Sequence, residues 1–195
     1  GITSNQGALT NPYFKIDNAS VTGAGLTTYT LQIHGLADSY VASPAATSLA
    51  QLYSNANTAT SFPAVISATY GAGQAAAYAY DLSRAVIFMR QGDSFNANID
   101  VDQDTTVRTI DLFQKIGGGA PWVDLDRIQV PQADEHQRFF ARLIRQMLAP
   151  VLPMPQLWYF PGTARTMLIP TADAHANPTP YYYQLVNSMN SHNGR

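Results

Sequence analysis

The clearest pattern in the chain is a change from strand-like to helix-like periodicity over residues 70–92, which read YGAGQAAAYAYDLSRAVIFMRQG. Small and aromatic residues alternate over 74–80 and predict a strand. A glycine-containing turn joins it to a second predicted strand over 64–70, so the pair is expected to form a hairpin. Residues 82–91 then repeat apolar side chains at helical spacing, which predicts a short helix.

The strongest helical signal lies over residues 134–148. Apolar side chains recur there at the spacing of one helix face, with acidic residues in the first turn and arginines toward the end. We expect four members of this apolar stripe to be buried, namely Phe140, Ile144, Met147 and Leu148. A further helix is predicted over 180–189 and a short one over 106–116.

The N-terminal part of the chain predicts antiparallel strands. Residues 27–34 alternate as a strand does, and 49–53 form a short apolar strand. Residues 1–27 are rich in Asn, Thr and Gly and predict a loop, with one short edge strand at 13–16. Residues 27–80 are therefore expected to be mainly antiparallel. Strands followed closely by a helix indicate an α/β fold class.

Composition narrows the class of protein. Hydrophobic residues make up 46% of the 195 positions, whereas charged residues make up only 12%. The net charge of −2 provides no basic surface for nucleic acid, and no apolar run is long enough to predict a membrane span. The absence of cysteine excludes disulfides and thiolate chemistry. Few charges combined with abundant Asn, Thr, Ser and Ala favour a secreted or cell-surface protein.

Five segments, in the same order, resemble secreted bacterial proteins in which a glutamine-amidotransferase-like (flavodoxin-like) domain is followed by a polysaccharide-deacetylase-like domain. The segments are YTLQIHGLADSY (29–40), ATSLAQLYSNANTATSFPAV (46–65), AYAYDLSRAVIFMRQGD (77–93), WVDLDRIQVPQADEHQR (122–138) and LIPTADAHAN (168–177). The resemblance runs from about Thr28 to the end of the chain. By this resemblance, the chain looks like a fragment that spans the junction between the two domains.

The resemblance implies a fold and a set of domain boundaries. It implies an incomplete flavodoxin-like or amidotransferase-like layer with an antiparallel β-rich insertion, followed by the opening β-α unit of a deacetylase-like barrel. The expected parts are the β-rich end of the first domain at 1–120, a helix and Pro-rich linker at 121–156, and the start of the second domain at 157–195.

The resemblance also singles out one loop near the C-terminus. Polysaccharide deacetylases carry Thr-x-Asp-Asp after their first barrel strand, predicted here at 166–169; the first Asp is the general base and the second a metal ligand. This chain keeps the first as Asp173, replaces the second by Ala174, and offers His175 as a substitute ligand. The two downstream histidines of the family's metal motif are missing from this chain. The favoured interpretation is a vestigial loop; the alternative is a divalent-metal site completed outside this chain.

A second candidate site is the alternating carboxylate run of Asp100, Asp102 and Asp104. Such spacing can place three oxygens around Ca²⁺, and Asp111 falls at the twelfth position of the loop. The sixth position is Thr105 where calcium loops have Gly, and the twelfth is Asp where they have Glu. These departures favour the alternative, which is a solvated acidic loop whose Asp111 faces solvent.

One histidine is a candidate for acid–base chemistry. His34 ends a predicted strand near Asp38, so the two could form a His–Asp pair. Because no Ser or Cys nucleophile has a fixed spacing to this pair, a hydrogen-bonded structural histidine is the favoured interpretation. His136 is expected on the polar side of its helix.

These observations favour a non-catalytic structural or carbohydrate-associated module of a secreted or cell-surface protein. Amidotransferase chemistry needs a nucleophilic cysteine, and this chain has none. The alternative is a fragment of a metal-dependent polysaccharide deacetylase, a carbohydrate esterase, whose remaining active-site residues lie outside this chain. Because an incomplete layer leaves sheet edges open, we expect self-association or a companion chain, and polysaccharide as a further partner.

Overall fold

Two antiparallel sheets and three α-helices make up the regular structure of the described residues, which are 1–114, 122–152 and 178–192 in a computed structural model. The strands are β1 (Ile2–Thr10), β2 (Tyr13–Ile16), β3 (Leu31–Gln32), β4 (Leu36–Ala42), β5 (Thr47–Asn55), β6 (Thr58–Tyr70) and β7 (Gly73–Tyr78). The helices are α1 (Leu82–Gln91), α2 (Gln132–Leu148) and α3 (Thr179–Ser191). Internal contacts divide the chain into two compact units, Gly1–Met154 and Pro155–Arg195.

The larger sheet has the strand order β3-β2-β5-β6-β7, and the smaller one pairs β1 with β4. Every strand pair among the described residues is antiparallel. The mixed α/β class with antiparallel strands is therefore confirmed. A parallel, flavodoxin-like layer is not found in the described part of the chain, and the flavodoxin-like and deacetylase-like folds stay predictions.

The predicted hairpin and the helix after it are confirmed. Strands β6 and β7 pair antiparallel from Val65 opposite Tyr78 to Tyr70 opposite Gly73. The strand ends two residues earlier than expected, and Tyr80 forms a separate bridge to Ala37. Helix α1 begins after Asp81, whose side chain accepts a hydrogen bond from the third following amide at 2.9 Å.

The N-terminal prediction is wrong in four places. Only Leu31–Gln32 of the predicted strand 27–34 is a strand, and β1 and β4 were not predicted. Strand β2 is an inner strand between β3 and β5, not an edge strand. Strand β1 is missing from the prediction because almost all of its residues are exposed, so burial imposes no alternation on its sequence.

Helix α2 is confirmed, but its buried face is not the predicted apolar stripe. Phe140 and Leu148 are 42% and 37% exposed, while Ile144 and Met147 are only partly buried. The buried side chains are Gln132, Glu135, His136, Phe139 and Leu143. In its first turns, the helix faces the core with its polar side. This is possible because partners elsewhere in the fold satisfy those polar groups.

The hydrophobic core lies where α2 packs on the larger sheet. Helix α2 contacts β3, β7 and α1. Phe14 of β2 is fully buried, and its ring centroid lies 6.5 Å from that of Phe139. The principal core side chains are Phe14, Ile16, Leu31, Ile33, Leu52, Val65, Tyr80, Ala85, Phe139 and Leu143. This packing brings the first turns of α2 to the end of β3.

Candidate functional site

Two glutamines join the first turn of α2 to strand β3. Gln32 donates its backbone N–H to Oε1 of Gln132 at 2.7 Å, and Gln132 donates its side-chain amide to Oε1 of Gln32 at 3.1 Å. Oε1 of Gln32 also accepts from the backbone of Asp124 at 2.9 Å, and its Nε2 donates to the carbonyl of Trp122 at 3.1 Å. These bonds satisfy amides that would otherwise be costly to bury.

The next turn of α2 places His136 in the middle of this network. Its Nε2 lies 3.1 Å from the carbonyl oxygen of Gln32, and its Nδ1 lies 3.1 Å from the hydroxyl of Tyr80. A carbonyl only accepts, so Nε2 carries the proton and Nδ1 accepts from Tyr80. Burial lowers the pKa of His136 to about 3, against the smaller opposing effect of the Gln32 bond. The ring is therefore neutral at pH 7, and the polar side of α2, where the sequence places His136, is buried at this turn.

Glu135 adds a buried carboxylate beside this histidine. It accepts the backbone N–H of Thr27 at 2.6 Å and forms an ion pair with Arg138. Its side chain is buried, whereas that of Arg138 is half exposed. The carboxylate therefore joins the loop before β3 to α2 and has its charge compensated.

A cavity of about 250 Å³ lies between the end of β3, the end of α1 and the start of α2. Six of its lining residues are apolar: Met89, Val123, Ile128, Val130, Pro131 and Ala133. The other six are polar or charged: Gln32, His34, Arg90, Arg127, Gln132 and Asp134. Mixed linings of this kind are typical of small-molecule sites.

His34 is the one buried side chain of this lining with an unsatisfied polar atom among the described residues. It is 5% exposed, and its ring stacks on Trp122 with centroids 4.2 Å apart and planes 2° apart. Its Nε2 is buried and has no hydrogen-bond partner in the described part of the chain, which costs about 1–3 kcal/mol. Burial lowers the pKa of His34 to about 4, partly opposed by Asp93.

The His34–Asp38 pair considered from sequence does not form. The carboxylate of Asp38 accepts from the amide of Asn5 at 3.1 Å and from the hydroxyl of Tyr40 at 2.7 Å. The His34 ring instead stacks on Trp122, and the residue lines the cavity. The two residues therefore do not support an acid–base mechanism.

Of the two arginines that line the cavity, Arg90 is paired with a carboxylate and Arg127 is not. Arg90 donates to Asp134 at 2.5 Å and to Gln137 at 2.9 Å. The guanidinium of Arg127 is directed to other acceptors, including the carbonyl of Asp126 at 3.2 Å. These acceptors are neutral, and Arg127 has no carboxylate partner in the described part of the chain, so the lining keeps one positive charge that disfavours a cation.

The acidic loop brings Asp100, Asp102 and Asp104 together, with one oxygen from each within 4.8 Å of the others. These oxygens already have partners. Asp100 accepts from the backbone of Asp104 at 3.1 Å and of Thr105 at 2.8 Å, while Asp104 pairs with Arg108 at 2.5 Å. The cluster could hold a cation only in competition with these partners, and calcium stays a prediction.

Asp111 is 1% exposed, so the expectation that it faces solvent is wrong. Its carboxylate accepts the backbone N–H groups of Arg108 at 2.7 Å, Val101 at 2.9 Å and Asp102 at 3.4 Å. The Arg108 bond is the main reason that its pKa lies below 3.8. The helix predicted over 106–116 is a short 3-10 turn, Thr109–Phe113, in which Asp111 closes the acidic loop.

The deacetylase-motif residues Asp173 and His175 lie outside the described residues, as does the predicted strand 166–169. The structure therefore does not test the general-base role of Asp173 or the metal-ligand role of His175. Gln32, Gln132 and Trp122 were not identified from sequence as site residues. In the sequence these residues are marked only by their polarity or size, and neither property predicts a partner that is distant in the chain.

Comparison of the chain with protein-family models, with curated proteins and with solved structures found no match. In the described part of the chain, no helix combines the length and apolar character needed to cross a membrane.

Proposed function

We propose that the chain is a non-catalytic structural module of a secreted or cell-surface protein, associated with carbohydrate and assembled with a copy or a companion chain. The observation that supports it best is the closed hydrogen-bond network of Gln32, Gln132, His136 and Tyr80. Each of these buried groups has a hydrogen-bond partner in the network or in the residues beside it. Such an arrangement joins segments distant in the chain and leaves little for a substrate.

The burial of His136 supports a structural role. The side chain is fully buried, and both ring nitrogens have partners within the fold. A general acid or base must reach the proton it transfers within hydrogen-bond distance. His136 would have to leave both partners before it could contact a substrate.

The finer form of the proposal assigns this module to the junction between an amidotransferase-like (flavodoxin-like) layer and a deacetylase-like barrel. The segments that resemble such proteins, and the secreted setting implied by composition, support it. Its rival is a fragment of a metal-dependent polysaccharide deacetylase, in which Asp173 is the base and His175 a ligand of a metal site completed elsewhere.

An activity assay decides between the two. The chain is incubated with acetylated sugar oligomers, with and without added Zn²⁺ or Co²⁺, and acetate is measured. We expect negligible acetate release and no change in the Asp173→Asn variant, because one carboxylate and one histidine are too few ligands for a catalytic metal. Metal-dependent release that disappears in Asp173→Asn would establish the deacetylase.

Carbohydrate association and assembly need their own measurements. Retention of the chain on insoluble polysaccharide, compared with a protein of similar size and charge, tests the first. Light scattering at micromolar concentration tests the second, and we expect a mass above that of one chain. A compact monomer that polysaccharide does not retain would contradict the proposal.

A further inference from the structure

We propose that the cavity beside His34 binds a neutral, hydroxyl-bearing molecule of about the size of one sugar ring. The site gives the carbohydrate association a location in the fold, and in this respect it rests on the proposed function. The cavity volume of about 250 Å³ is below the roughly 300–1,000 Å³ of pockets for drug-sized ligands, so it suits a single small ring.

The first argument is the unsatisfied nitrogen of His34. The neighbouring buried polar groups of Gln32, Gln132 and His136 have hydrogen-bond partners, whereas Nε2 of His34 has none in the described part of the chain. Such atoms in a native fold point to a missing partner. A hydroxyl both donates and accepts, so it can satisfy Nε2 in either tautomer of the ring.

The second argument is the charge of the lining, in which Arg90 is paired with Asp134 and Arg127 bonds neutral acceptors. A bound anion would compete with Asp134 for Arg90, which already donates to Asp134 at 2.5 Å. A bound cation would face the guanidinium of Arg90 and, further along the lining, that of Arg127. A neutral ligand leaves the Arg90–Asp134 ion pair intact and brings no positive charge near Arg127. Burial also keeps His34 uncharged at pH 7.

The third argument is the mixture of apolar and polar walls. Met89, Val130 and Ile128 line the cavity together with His34 and the two glutamines of the network. Trp122 stacks on the His34 ring and holds its plane in place. A sugar ring presents both hydroxyl groups and C–H surface, and it therefore suits a wall of each kind.

The test is a titration followed by the NMR signals of the His34 and Trp122 side chains. The neutral probes are glucose, galactose and N-acetylglucosamine. The charged probes of the same ring size are glucuronate and protonated glucosamine. We expect saturable shifts of both side chains with at least one neutral sugar, and weaker binding of the charged rings. No saturable shift with any neutral sugar, or tighter binding of a charged ring, would overturn the site.

A matched pair of variants separates the effect of removing Nε2 of His34 on sugar binding from general effects on the core. His34→Phe keeps a ring stacked on Trp122 but removes Nε2, and we expect neutral-sugar binding to weaken about tenfold or more. Tyr78→Phe removes the other buried unpartnered side-chain polar atom of the described residues, a hydroxyl that does not line the cavity, and should bind as the unmodified chain does. Thermal unfolding shows whether each variant is folded. Equal binding by His34→Phe and the unmodified chain would overturn the proposal.

The two proposals fail in different ways. Retention on polysaccharide without cavity shifts would overturn this site and leave the proposed function standing. Cavity shifts that His34→Phe abolishes, without retention on polysaccharide, would support the site and contradict the carbohydrate association of the whole module.

Discussion

The hydroxyl of Tyr80 lies 3.1 Å from Nδ1 of His136, although the two residues are 56 positions apart. The other ring nitrogen of His136 bonds the backbone of Gln32. One imidazole thus connects the segment after β7, the end of β3 and the buried face of α2. Because the network is buried, each of its bonds is costly to leave unmade.

Replacing Tyr80 by Phe should destabilise the fold by about 1–3 kcal/mol, because it leaves Nδ1 of His136 buried without a donor. The matched control is Tyr78→Phe. The Tyr78 hydroxyl is buried without a partner in the described residues, and its ring packs edge-on against Tyr80 at 5.6 Å. Its removal should leave stability unchanged or slightly raised. Urea unfolding measures both variants, and an equal loss in the two would show that the Tyr80 bond contributes nothing.

The two buried histidines predict a loss of stability in acid. Their pKa values fall from 6.5 in the unfolded chain to about 4 for His34 and about 3 for His136. Below pH 6.5 the unfolded chain binds protons that the folded chain does not, so the free energy of unfolding decreases as the pH falls. The stabilisation is complete above pH 6.5 and disappears progressively toward the folded-state values.

The slope should reach about 1.4 kcal/mol per pH unit for each histidine within this window. Urea unfolding at a series of pH values between neutrality and pH 4 measures it. The variant His34→Phe should keep the part of the slope due to His136 and lose its own. A free energy of unfolding that stays constant across this range would contradict the neutral state of both rings.

The secondary-structure elements that depend mainly on local sequence patterns were predicted from the sequence. The hairpin of β6 and β7 follows from alternation around a glycine turn, and α1 and α2 follow from helical spacing. Strand β1 was not predicted, because it pairs only with β4 among the described strands and is exposed along most of its length. The strand predicted over 27–34 shortened to β3, and the polar network forms where it ends.

The candidate site was much less predictable, because its polar residues are buried by partners distant in the chain. Gln132 and Gln32 are 100 positions apart, and neither is unusual in its local sequence. Hydrophobic periodicity assigned the polar side of α2 to solvent, and it therefore selected Phe140 over Phe139 for the core. His34 was noticed as a strand-end histidine, but its stacking on Trp122 depends on the tertiary fold.

Gly92 should tolerate no side chain. It ends α1 with φ 76° and ψ −166°, a conformation essentially restricted to glycine, and a Cβ would collide with the backbone of Leu112. Gly92→Ala should therefore cost about 3 kcal/mol or more. Gly71 has φ 57° and open space around it, so Gly71→Ala should cost only about 1 kcal/mol. Equal costs in urea unfolding would show that contact with Leu112 is unimportant.

Asp111 should organise the acidic loop through its three backbone hydrogen bonds. In Asp111→Asn an amide group replaces one of the accepting oxygens, so we expect hydrogen exchange of the Val101 and Arg108 amides to accelerate. Asp102→Asn is the control, since that side chain is exposed. Unchanged exchange in Asp111→Asn would contradict the organising role.

The last prediction concerns calcium binding by the exposed carboxylates of the same loop. Arg108 and backbone N–H groups already occupy oxygens of Asp100 and Asp104, so a cation would have to displace partners. We expect millimolar calcium or EDTA to leave the unfolding temperature unchanged. The variant Arg108→Gln removes the competing positive charge from Asp104 and should increase any calcium response. A rise in unfolding temperature with calcium, reversed by EDTA and lost in Asp100→Asn, would instead identify the loop as a calcium site.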